Sequence, residues 1–350
     1  MEIPSVLLHF FAIIGTIFTL TAAGHVVDFL NFHFNLPAEP LKAYKRRGPK
    51  PTYALITGGS AGIGYGIARA LVKDGFGVIL LGHKAEELAE SAAALRALVP
   101  EDRRAQADDF VKIIVMDALT ATPQEMEDKI RATVIDQELR VSILVNNVAS
   151  IPIALPPFRE QRTYSPDDID NVIDLNARFM ARLTTIMLPV LIHRAAGVDE
   201  RGMSFGTHQR SLVLNMSSGG HVGLPWLVMY SATKAFNLGF SRALSRELEA
   251  VPETKHVDSL AVIPGDVRSQ GNSQGVTEGA PDSDAYGAYI VDRVDGAVSR
   301  GWREMTPYWL HHAQAILIGL VPDRTFTQGA LKTIIIKRDA FNAVNRPKDE

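Results

Sequence analysis

The sequence predicts an α/β protein with a doubly wound parallel sheet, preceded by an N-terminal helix that anchors it to a membrane. Two observations lead to this prediction. From position 52 onwards, short apolar runs alternate with stretches of helical periodicity, and the first run is followed at once by a glycine-rich turn. Between positions 3 and 27, the chain is apolar and lacks Asp, Glu, Lys and Arg.

The strand signals of the main domain are short. The first covers residues 53–56, and a segment with helical spacing follows over residues 66–72. Later runs occupy residues 78–81, 112–116, 143–145, 211–215 and 259–263. Sheets of this type bind ligands beyond the carboxyl ends of their strands, so the residues just after each run are candidates for function. We place this domain at residues 52–312.

Two stretches interrupt the alternation. Residues 196–210 are polar and contain glycine, and we expect a surface insertion there. Residues 268–305 are rich in Gly, Ser and Asp, which predicts a mobile loop with short helices near the substrate. The C-terminal part, residues 313–350, begins with an apolar run that is too short to span a bilayer but long enough to touch one.

The N-terminal segment is predicted to be a single-pass anchor over residues 1–30. A cleaved signal peptide would carry positive charge before a short apolar core, whereas here Glu2 precedes the core and basic residues follow it over 42–50. By the positive-inside rule, this arrangement places the main domain in the cytosol. Prolines within residues 31–51 predict a linker. A buried or interfacial helix is the alternative, because His9 and His25 dilute the apolarity.

The composition excludes several classes of protein. The chain has 350 residues and a formal net charge of -3, and its basic residues are scattered, which argues against a nucleic-acid partner. With no cysteine, disulfides and thiolate chemistry are excluded. His311 and His312 are adjacent and would lie on different helical faces, so no metal site is predicted.

A cofactor site is indicated by the turn after the first strand. It reads Thr57-Gly58-Gly59-Ser60-Ala61-Gly62-Ile63-Gly64 and leads into a helix, whose N-terminus suits a pyrophosphate. The second strand ends in Gly82-His83-Lys84, with no acid to bind the ribose 2′-hydroxyl of NAD. NADP(H) is therefore favoured, with His83 and Lys84 as candidates for the 2′-phosphate. Alternatively, Lys84 is a solvated residue at a helix start.

The candidate catalytic groups follow a later strand. Ser217 and Ser218 come directly after it, and Tyr230 and Lys234 are spaced so that they share one face of a helix. An ammonium near a phenol favours the phenolate, so the pair can move a proton, while a serine hydroxyl polarises a substrate oxygen. A surface pair is the alternative for an isolated Tyr-x-x-x-Lys, but the neighbouring motifs disfavour it.

These motifs, in this order over about residues 52–265, resemble the classical short-chain dehydrogenases/reductases. The resemblance implies a Rossmann-type fold with Thr57, Gly58, Gly62 and Gly64 in the cofactor turn, beside Ser60 and Ile63. It also implies an adenine contact at Asp117, a turn at Asn147, a nicotinamide contact at the backbone of Val267, and a catalytic asparagine at Asn176 that orders a relay water.

The N-terminal segment, the Asn-Asn-Val turn and the Ser-Ser and Tyr-x-x-x-Lys sequences resemble the membrane-bound branch of that family. This branch contains very-long-chain 3-oxoacyl-CoA reductases and 17β-hydroxysteroid dehydrogenases. The likeness implies a lipophilic substrate, a location at the endoplasmic reticulum and a homo-oligomer.

Two positions and the length of one segment depart from the family pattern. Ala149 stands where a glycine is usual, and His83 where an arginine is usual. The segment between serine and tyrosine is one residue short, so motif alignment favours Ser218 as the catalytic serine while counting back from Tyr230 favours Ser217.

Three functions are compatible with these observations. The first is reduction of a ketone on a lipophilic substrate by NADPH, with Tyr230 as the proton donor. The second is oxidation of a sterol or secondary-metabolite alcohol by NAD(P)+. The third is a membrane-tethered scaffold without turnover, which the presence of Asn176, Ser218, Tyr230 and Lys234 disfavours, because a binding protein has no need of all four.

Overall fold

The computed structural model describes residues 5–48, 50–153, 157–193 and 209–344. Within them lie the strands β1 Thr52–Thr57, β2 Gly77–Gly82, β3 Val111–Val115, β4 Arg140–Asn146, β5 Ser211–Met216, β6 Val257–Val262 and β7 Glu304–Met305. They form one parallel sheet in the order β3-β2-β1-β4-β5-β6-β7. The strand order reverses between β1 and β4, which confirms the predicted doubly wound sheet.

Helices cover both faces of the sheet. Those within the described ranges are α1 Ser5–Phe34, α2 Gly62–Lys73, α3 Ala85–Arg96, α4 Ala107–Phe110, α5 Pro123–Ile130, α6 Pro166–Ile173, α7 Phe179–His193, α8 Val228–Ala250, α9 Ser283–Ser299, α10 Trp309–Gly319 and α11 Asp323–Val344. One apolar core lies between the sheet and α2, α3 and α9, and a second lies between the sheet and α5, α7 and α8. Because β1 and β5 are buried along their whole length, the apolar residues at their centres, 53–56 and 212–214, are continuous rather than alternating.

The N-terminal helix α1 stands out from the domain over most of its length. By length and composition its segment His9–Phe34 could cross a membrane, and its apolar side chains are exposed, with Phe18 at 73%. From Asp28 onwards the helix packs on the domain, since Asp28 pairs with Arg300 at 2.7 Å and Phe32 is buried. The segment Pro166–His193 passes the same test of length and apolarity, but more than half of its most apolar window is buried within the domain.

Residues 31–51, expected to be a linker, pack against the domain in this structure. Leu41 and Tyr44 are each 1% exposed, and the Tyr44 hydroxyl donates to the Asp258 carboxylate at 2.8 Å. The Arg46 guanidinium donates to the carbonyl of Arg210 at 2.8 Å. The prolines of this segment favour a linker, but Leu41 and Tyr44 between them are apolar. Burial of these two side chains stabilises the folded state and therefore determines the packing.

The stretch 268–305 also differs from expectation. Residues 268–282 form a loop, but in place of the short helices the stretch continues into the long helix α9, which packs along α2 through Gly66 and Gly287. Its glycines and aspartates resemble a loop composition, yet one of these glycines is needed for close helix contact. The expected insertion at 196–210 falls outside the described residues, apart from its last two positions.

Candidate active site

The glycine turn forms a cradle at the carboxyl end of β1. Gly58 and Gly62 have φ values of +63° and +57°, a conformation that L side chains rarely adopt. A Cβ atom on Gly64 would lie 2.3 Å from the carbonyl oxygen of Gly58, so only glycine fits there. The backbone of the turn is thus held close to the start of α2.

The start of α2 has the free donors that a pyrophosphate requires. Its N-cap residue, Ala61, has no side-chain acceptor for the first-turn N–H groups. Ile63 and Ser60 are half-buried beside it, and the Ser60 carbonyl accepts a hydrogen bond from the Ser91 hydroxyl at 2.8 Å. Uncapped N–H groups at a glycine cradle fit the pyrophosphate of a dinucleotide.

Hydrogen bonds join this cradle to the end of β4. The Thr57 hydroxyl accepts from the backbone N–H groups of Asn147 at 2.9 Å and Val148 at 3.0 Å. The Asn147 side chain donates to the Thr57 carbonyl at 3.0 Å. Both residues therefore shape the crevice at which the strand order reverses, where doubly wound sheets bind their ligands.

The residues expected to distinguish NADP from NAD lie at the surface. His83 and Lys84 are exposed after β2, and the Lys84 ammonium pairs with Glu87 at 2.6 Å. Asp117 is exposed after β3 and accepts a hydrogen bond from the backbone of Leu119 at 2.9 Å. The cation predicted to hold a 2′-phosphate is present but already has an acidic partner.

Ser218, and not Ser217, faces the tyrosine. The Ser218 hydroxyl lies beside the Tyr230 phenol, whose pKa it lowers, and accepts from the backbone N–H of Gly220 at 3.1 Å. The Ser217 hydroxyl, by contrast, is buried and donates to the backbone carbonyl of Lys234 at 2.8 Å. The structure thus brings together Ser218, Tyr230 and Lys234 and gives Ser217 a bond to the helix.

Burial alters the acidity of both groups on α8. It raises the pKa of Tyr230 above the usual 10, and the hydrogen bond with Ser218 opposes this rise. Burial lowers the pKa of Lys234 to about 8. The Lys234 ammonium donates to the carbonyl of Met216 at 3.1 Å and lies 5.7 Å from the centre of the Tyr230 ring. The pKa of Tyr230 is thus raised, whereas the sequence leads us to expect that the lysine lowers it.

Asn176 lies in a π-helical turn, Asp174–Arg178, between α6 and α7, and its side chain is fully buried. The amide accepts from the backbone N–H of Ser150 at 2.9 Å and donates to the carbonyl of Ser150 at 2.8 Å and to the Thr233 hydroxyl at 3.3 Å. Because these bonds occupy the side chain, Asn176 fixes the loop after β4 against α8. π-Helical turns of this kind are frequent at functional sites.

Asn237 is a buried polar residue that the sequence reading missed. Its amide donates to the Met216 carbonyl at 3.3 Å, the same carbonyl that Lys234 binds. A polar side chain one helical turn after the lysine was the available signal, but polarity alone did not reveal which backbone group it contacts.

The loop after β6 is held by an ionic network. Burial raises the pKa of Asp266, but hydrogen bonds from Thr277, Lys337 and Asn272 outweigh it and lower that pKa to about 2. The Lys337 ammonium lies 2.9 Å from the Asp266 carboxylate and 3.1 Å from the Asn272 side chain. Next to this carboxylate, Val267 is 4% exposed, and its carbonyl accepts from Asn272 at 2.9 Å.

Helix α11 forms a roof over the catalytic end of the sheet. Besides binding the loop after β6 through Lys337, it carries Arg338, whose guanidinium lies 4.4 Å from the ring centre of Trp226. Phe341 lies 6.1 Å from Phe158 in the loop after β4, measured between ring centres. The helix thus contacts the loops that follow β4, β5 and β6, and no sequence motif indicated this.

The pKa of Lys234 predicts how activity depends on pH. Since this pKa lies near 8, the ammonium is present below that pH and is lost above it. We expect the rate of any reaction that draws a proton from Tyr230 to fall as pH rises through about 8, because an uncharged amine cannot stabilise a Tyr230 phenolate. Measured kcat between pH 6 and 10 tests this, and a Lys234→Arg variant, which keeps its charge, should lose the decline. A flat wild-type profile would contradict the assignment.

A doubly wound sheet with a glycine cradle at the reversal point and a Ser–Tyr–Lys group beside it defines a nucleotide-dependent oxidoreductase. The chain belongs to the short chain dehydrogenase family, whose model matches residues 52–278. It is an NAD(P)(H)-dependent enzyme of that family. The resemblance inferred from the motifs is thereby confirmed.

Curated relatives include two fungal very-long-chain 3-oxoacyl-CoA reductases. The protein from Aspergillus clavatus is 27% identical over 327 residues, covering 90% of this chain and 84% of its own length. That from Candida albicans is 29% identical over 304 residues, covering 85% and 77%.

Solved structures support the fold. A short-chain dehydrogenase from Sphingobium yanoikuyae in complex with NADPH matches with a TM-score of 0.56 at 21% identity, covering 78% of this chain and 97% of its own. A bulky-bulky ketone specific alcohol dehydrogenase from Comamonas testosteroni matches with a TM-score of 0.54 at 20% identity, covering 79% and 96%.

Proposed function

We propose that the protein is an NADPH-dependent reductase of a lipophilic ketone, and specifically of a long-chain 3-oxoacyl thioester. The direction of the reaction, reduction, is taken from the names of the relatives. The observation that carries the chemistry is the Tyr230 phenol, which is half-buried beside the Ser218 hydroxyl. A protonated phenol is a proton donor, which is what reduction of a carbonyl requires. The substrate class is taken from the names of the relatives, which align over most of their length.

The residues divide the work of a carbonyl reduction. The Ser218 hydroxyl donates to the substrate carbonyl oxygen and holds it beside the phenol. Tyr230 gives its proton to that oxygen as negative charge develops on it, and Lys234 stabilises the resulting phenolate by its charge. Asn176 positions α8 through Thr233, whose hydroxyl donates to the Tyr230 carbonyl at 2.8 Å. Bound NADPH supplies the hydride.

The cofactor is held by the cradle and the end of β4. The first-turn N–H groups of α2 would bind the pyrophosphate, with Gly58, Gly62 and Gly64 allowing close approach. Asp117 would contact the adenine, and the backbone of Val267 the nicotinamide amide. His83 and Lys84 would take the 2′-phosphate, for which Lys84 would leave its partner Glu87.

We expect Lys84→Glu to raise the KM for NADPH by about tenfold and to leave the KM for NADH almost unchanged. The substitution replaces an attraction to the 2′-phosphate by a repulsion, and a change of about 1.4 kcal/mol corresponds to that factor. A matched control is Lys42→Glu, because Lys42 also pairs with an acid three residues away, Glu39, but lies outside this site. Equal shifts for both cofactors would contradict the assignment.

Membrane attachment through α1 belongs to the same proposal. The exposed apolar helix spans the bilayer, and the basic residues over 42–50 keep the domain on the cytosolic side of the endoplasmic reticulum. A lipophilic substrate that resides in that membrane is then within reach of the site.

Oxidation of a sterol-type alcohol is the second candidate. The observation in its favour is the salt bridge between Lys84 and Glu87, which weakens discrimination against NAD+. To separate the two, full-length protein in lipid nanodiscs is supplied with NADPH and either a long-chain 3-oxoacyl-CoA or a steroid ketone, and with NAD(P)+ and the matching alcohols. Faster reduction of the thioester supports the proposal. Preferential steroid turnover overturns the substrate class, and no turnover of either, with cofactor bound, indicates a scaffold.

A further inference from the structure

The second half of α10 projects from the domain without a polar face. Its apolar tip consists of Ile316, Leu317, Ile318, Leu320 and Val321, which are between 39% and 78% exposed. Every described position from 314 to 325 is exposed, so the tip has no buried side. From Met305 to Pro322 the chain has no Asp, Glu, Lys or Arg. A helix end that is apolar all round fits an apolar environment and not water.

The base of this tip adjoins the place where α1 enters the domain. The His312 ring is hydrogen-bonded to His33 at 2.8 Å, and its centre lies 5.1 Å from that of Phe29. Only a few residues separate His312 from the tip, which at 1.5 Å per residue is on the order of 10 Å along the helix. Trp309, 43% exposed, stands at the start of α10, and tryptophan is favoured at membrane interfaces.

We propose that the tip of α10 enters the lipid bilayer as a second membrane contact, so that the α11 roof lies at the membrane surface. This inference rests on the proposed anchoring by α1, to which the tip is adjacent. Polar residues, Asp323 and Arg324, follow the tip at once and mark its return to the interface. The chain then continues into α11, the roof, which contacts Asp266, Trp226 and Phe158.

The consequence is a short route for a lipophilic substrate. The roof connects the tip to the loops around Tyr230, so an apolar substrate chain that leaves the bilayer beside the junction of α10 and α11 meets the catalytic end of the sheet. Transfer along such a route spares the apolar chain from exposure to water, which is unfavourable in proportion to the apolar surface exposed.

The absence of cysteine makes a direct test straightforward. Single substitutions Leu320→Cys, Phe18→Cys and Val251→Cys are labelled with a nitroxide in the full-length protein in nanodiscs, and access to oxygen and to a water-soluble nickel complex is measured. Phe18 reports on α1. Val251, 40% exposed at the end of α8, is the control for a label in aqueous solvent. We expect the label at 320 to favour oxygen, as the label at 18 does.

Each outcome distinguishes the tip from the anchor. Nickel access at 320 equal to that at 251, with the label at 18 in lipid, overturns the tip contact and leaves the anchor standing. Nickel access at both 320 and 18 overturns both. A label at 320 that neither reagent reaches, with spin–spin broadening, shows that a second copy of the chain covers the tip and also overturns the proposal.

An activity measurement tests the route. The double variant Leu317→Asp with Leu320→Asp places two charges in the tip, away from the catalytic groups. We expect its KM for a bilayer-borne long-chain ketone to rise several-fold, while turnover of a short water-soluble ketone stays at the wild-type level. Equal kinetics of variant and wild type on the long-chain ketone would overturn the route.

Discussion

Replacing Tyr230 by phenylalanine lowers kcat by about 10²- to 10⁴-fold, the usual contribution of a positioned general acid, and leaves the fold intact. The aromatic ring still occupies its place on α8, and only the hydroxyl that contacts Ser218 is lost. Because the cradle at Gly58 and Gly64 is untouched, NADPH affinity measured by fluorescence titration should remain close to that of the wild type. Activity near the wild-type level in Tyr230→Phe would remove the proton donor from the account.

The two neighbouring serines offer a matched pair for the same measurement. Ser218→Ala removes the hydroxyl beside the phenol and should lower kcat with little change in thermal stability. Ser217→Ala removes a bond to the backbone of α8 and should lower stability by about 1 kcal/mol with a smaller effect on kcat. The reverse pattern would assign the catalytic role to Ser217.

The largest effect on stability is expected at the crossing of α2 and α9. A Cβ atom on Gly287 would lie 2.1 Å from the carbonyl carbon of Gly66, and one on Gly66 would lie 2.1 Å from the carbonyl oxygen of Ser283. These are backbone atoms, so the helices themselves must move apart. Gly287→Ala should therefore destabilise the protein by about 2–3 kcal/mol and, by displacing α2, weaken NADPH binding.

Gly239 provides the control for that substitution. It lies on the exposed side of α8 with nothing within 4 Å of an added Cβ. Gly239→Ala should stabilise the protein by roughly 0.5–1 kcal/mol, since alanine loses less backbone entropy in a helix. Chemical denaturation of both variants in detergent measures the difference, and equal stability of Gly287→Ala and wild type would contradict the packing described.

Local patterns were enough to predict the sheet and the proximity of Tyr230 and Lys234 on α8. A glycine turn after a buried strand is typical of the strand–turn–helix unit of a doubly wound sheet. The spacing of Tyr230 and Lys234 places both on one face of a helix. The choice between Ser217 and Ser218 depended on which way each hydroxyl points after β5, where successive side chains alternate in direction. The sequence alone does not tell which of the two alternating directions faces the tyrosine; the packing of β5 against α8 decides it.

Other features depend on contacts between distant parts of the chain. The roof is an example, because Lys337 and Asp266 are brought together only by the fold. The packing of Leu41 and Tyr44 and the length of α9 are similar cases, in which tertiary burial outweighs a composition rich in proline or glycine. The direction of the Tyr230 pKa shift also could not be predicted from the sequence, because it depends on burial of the phenol.

We propose that this protein reduces a ketone with NADPH and that Tyr230 donates the proton. The most direct test supplies NADPH carrying deuterium at its transferable position, together with a long-chain 3-oxoacyl thioester, to the full-length protein in nanodiscs. Mass spectrometry of the product should find one deuterium at the carbinol carbon with wild type and almost none with Tyr230→Phe over the same time. A wild-type protein that binds NADPH but forms no deuterated alcohol would contradict the account.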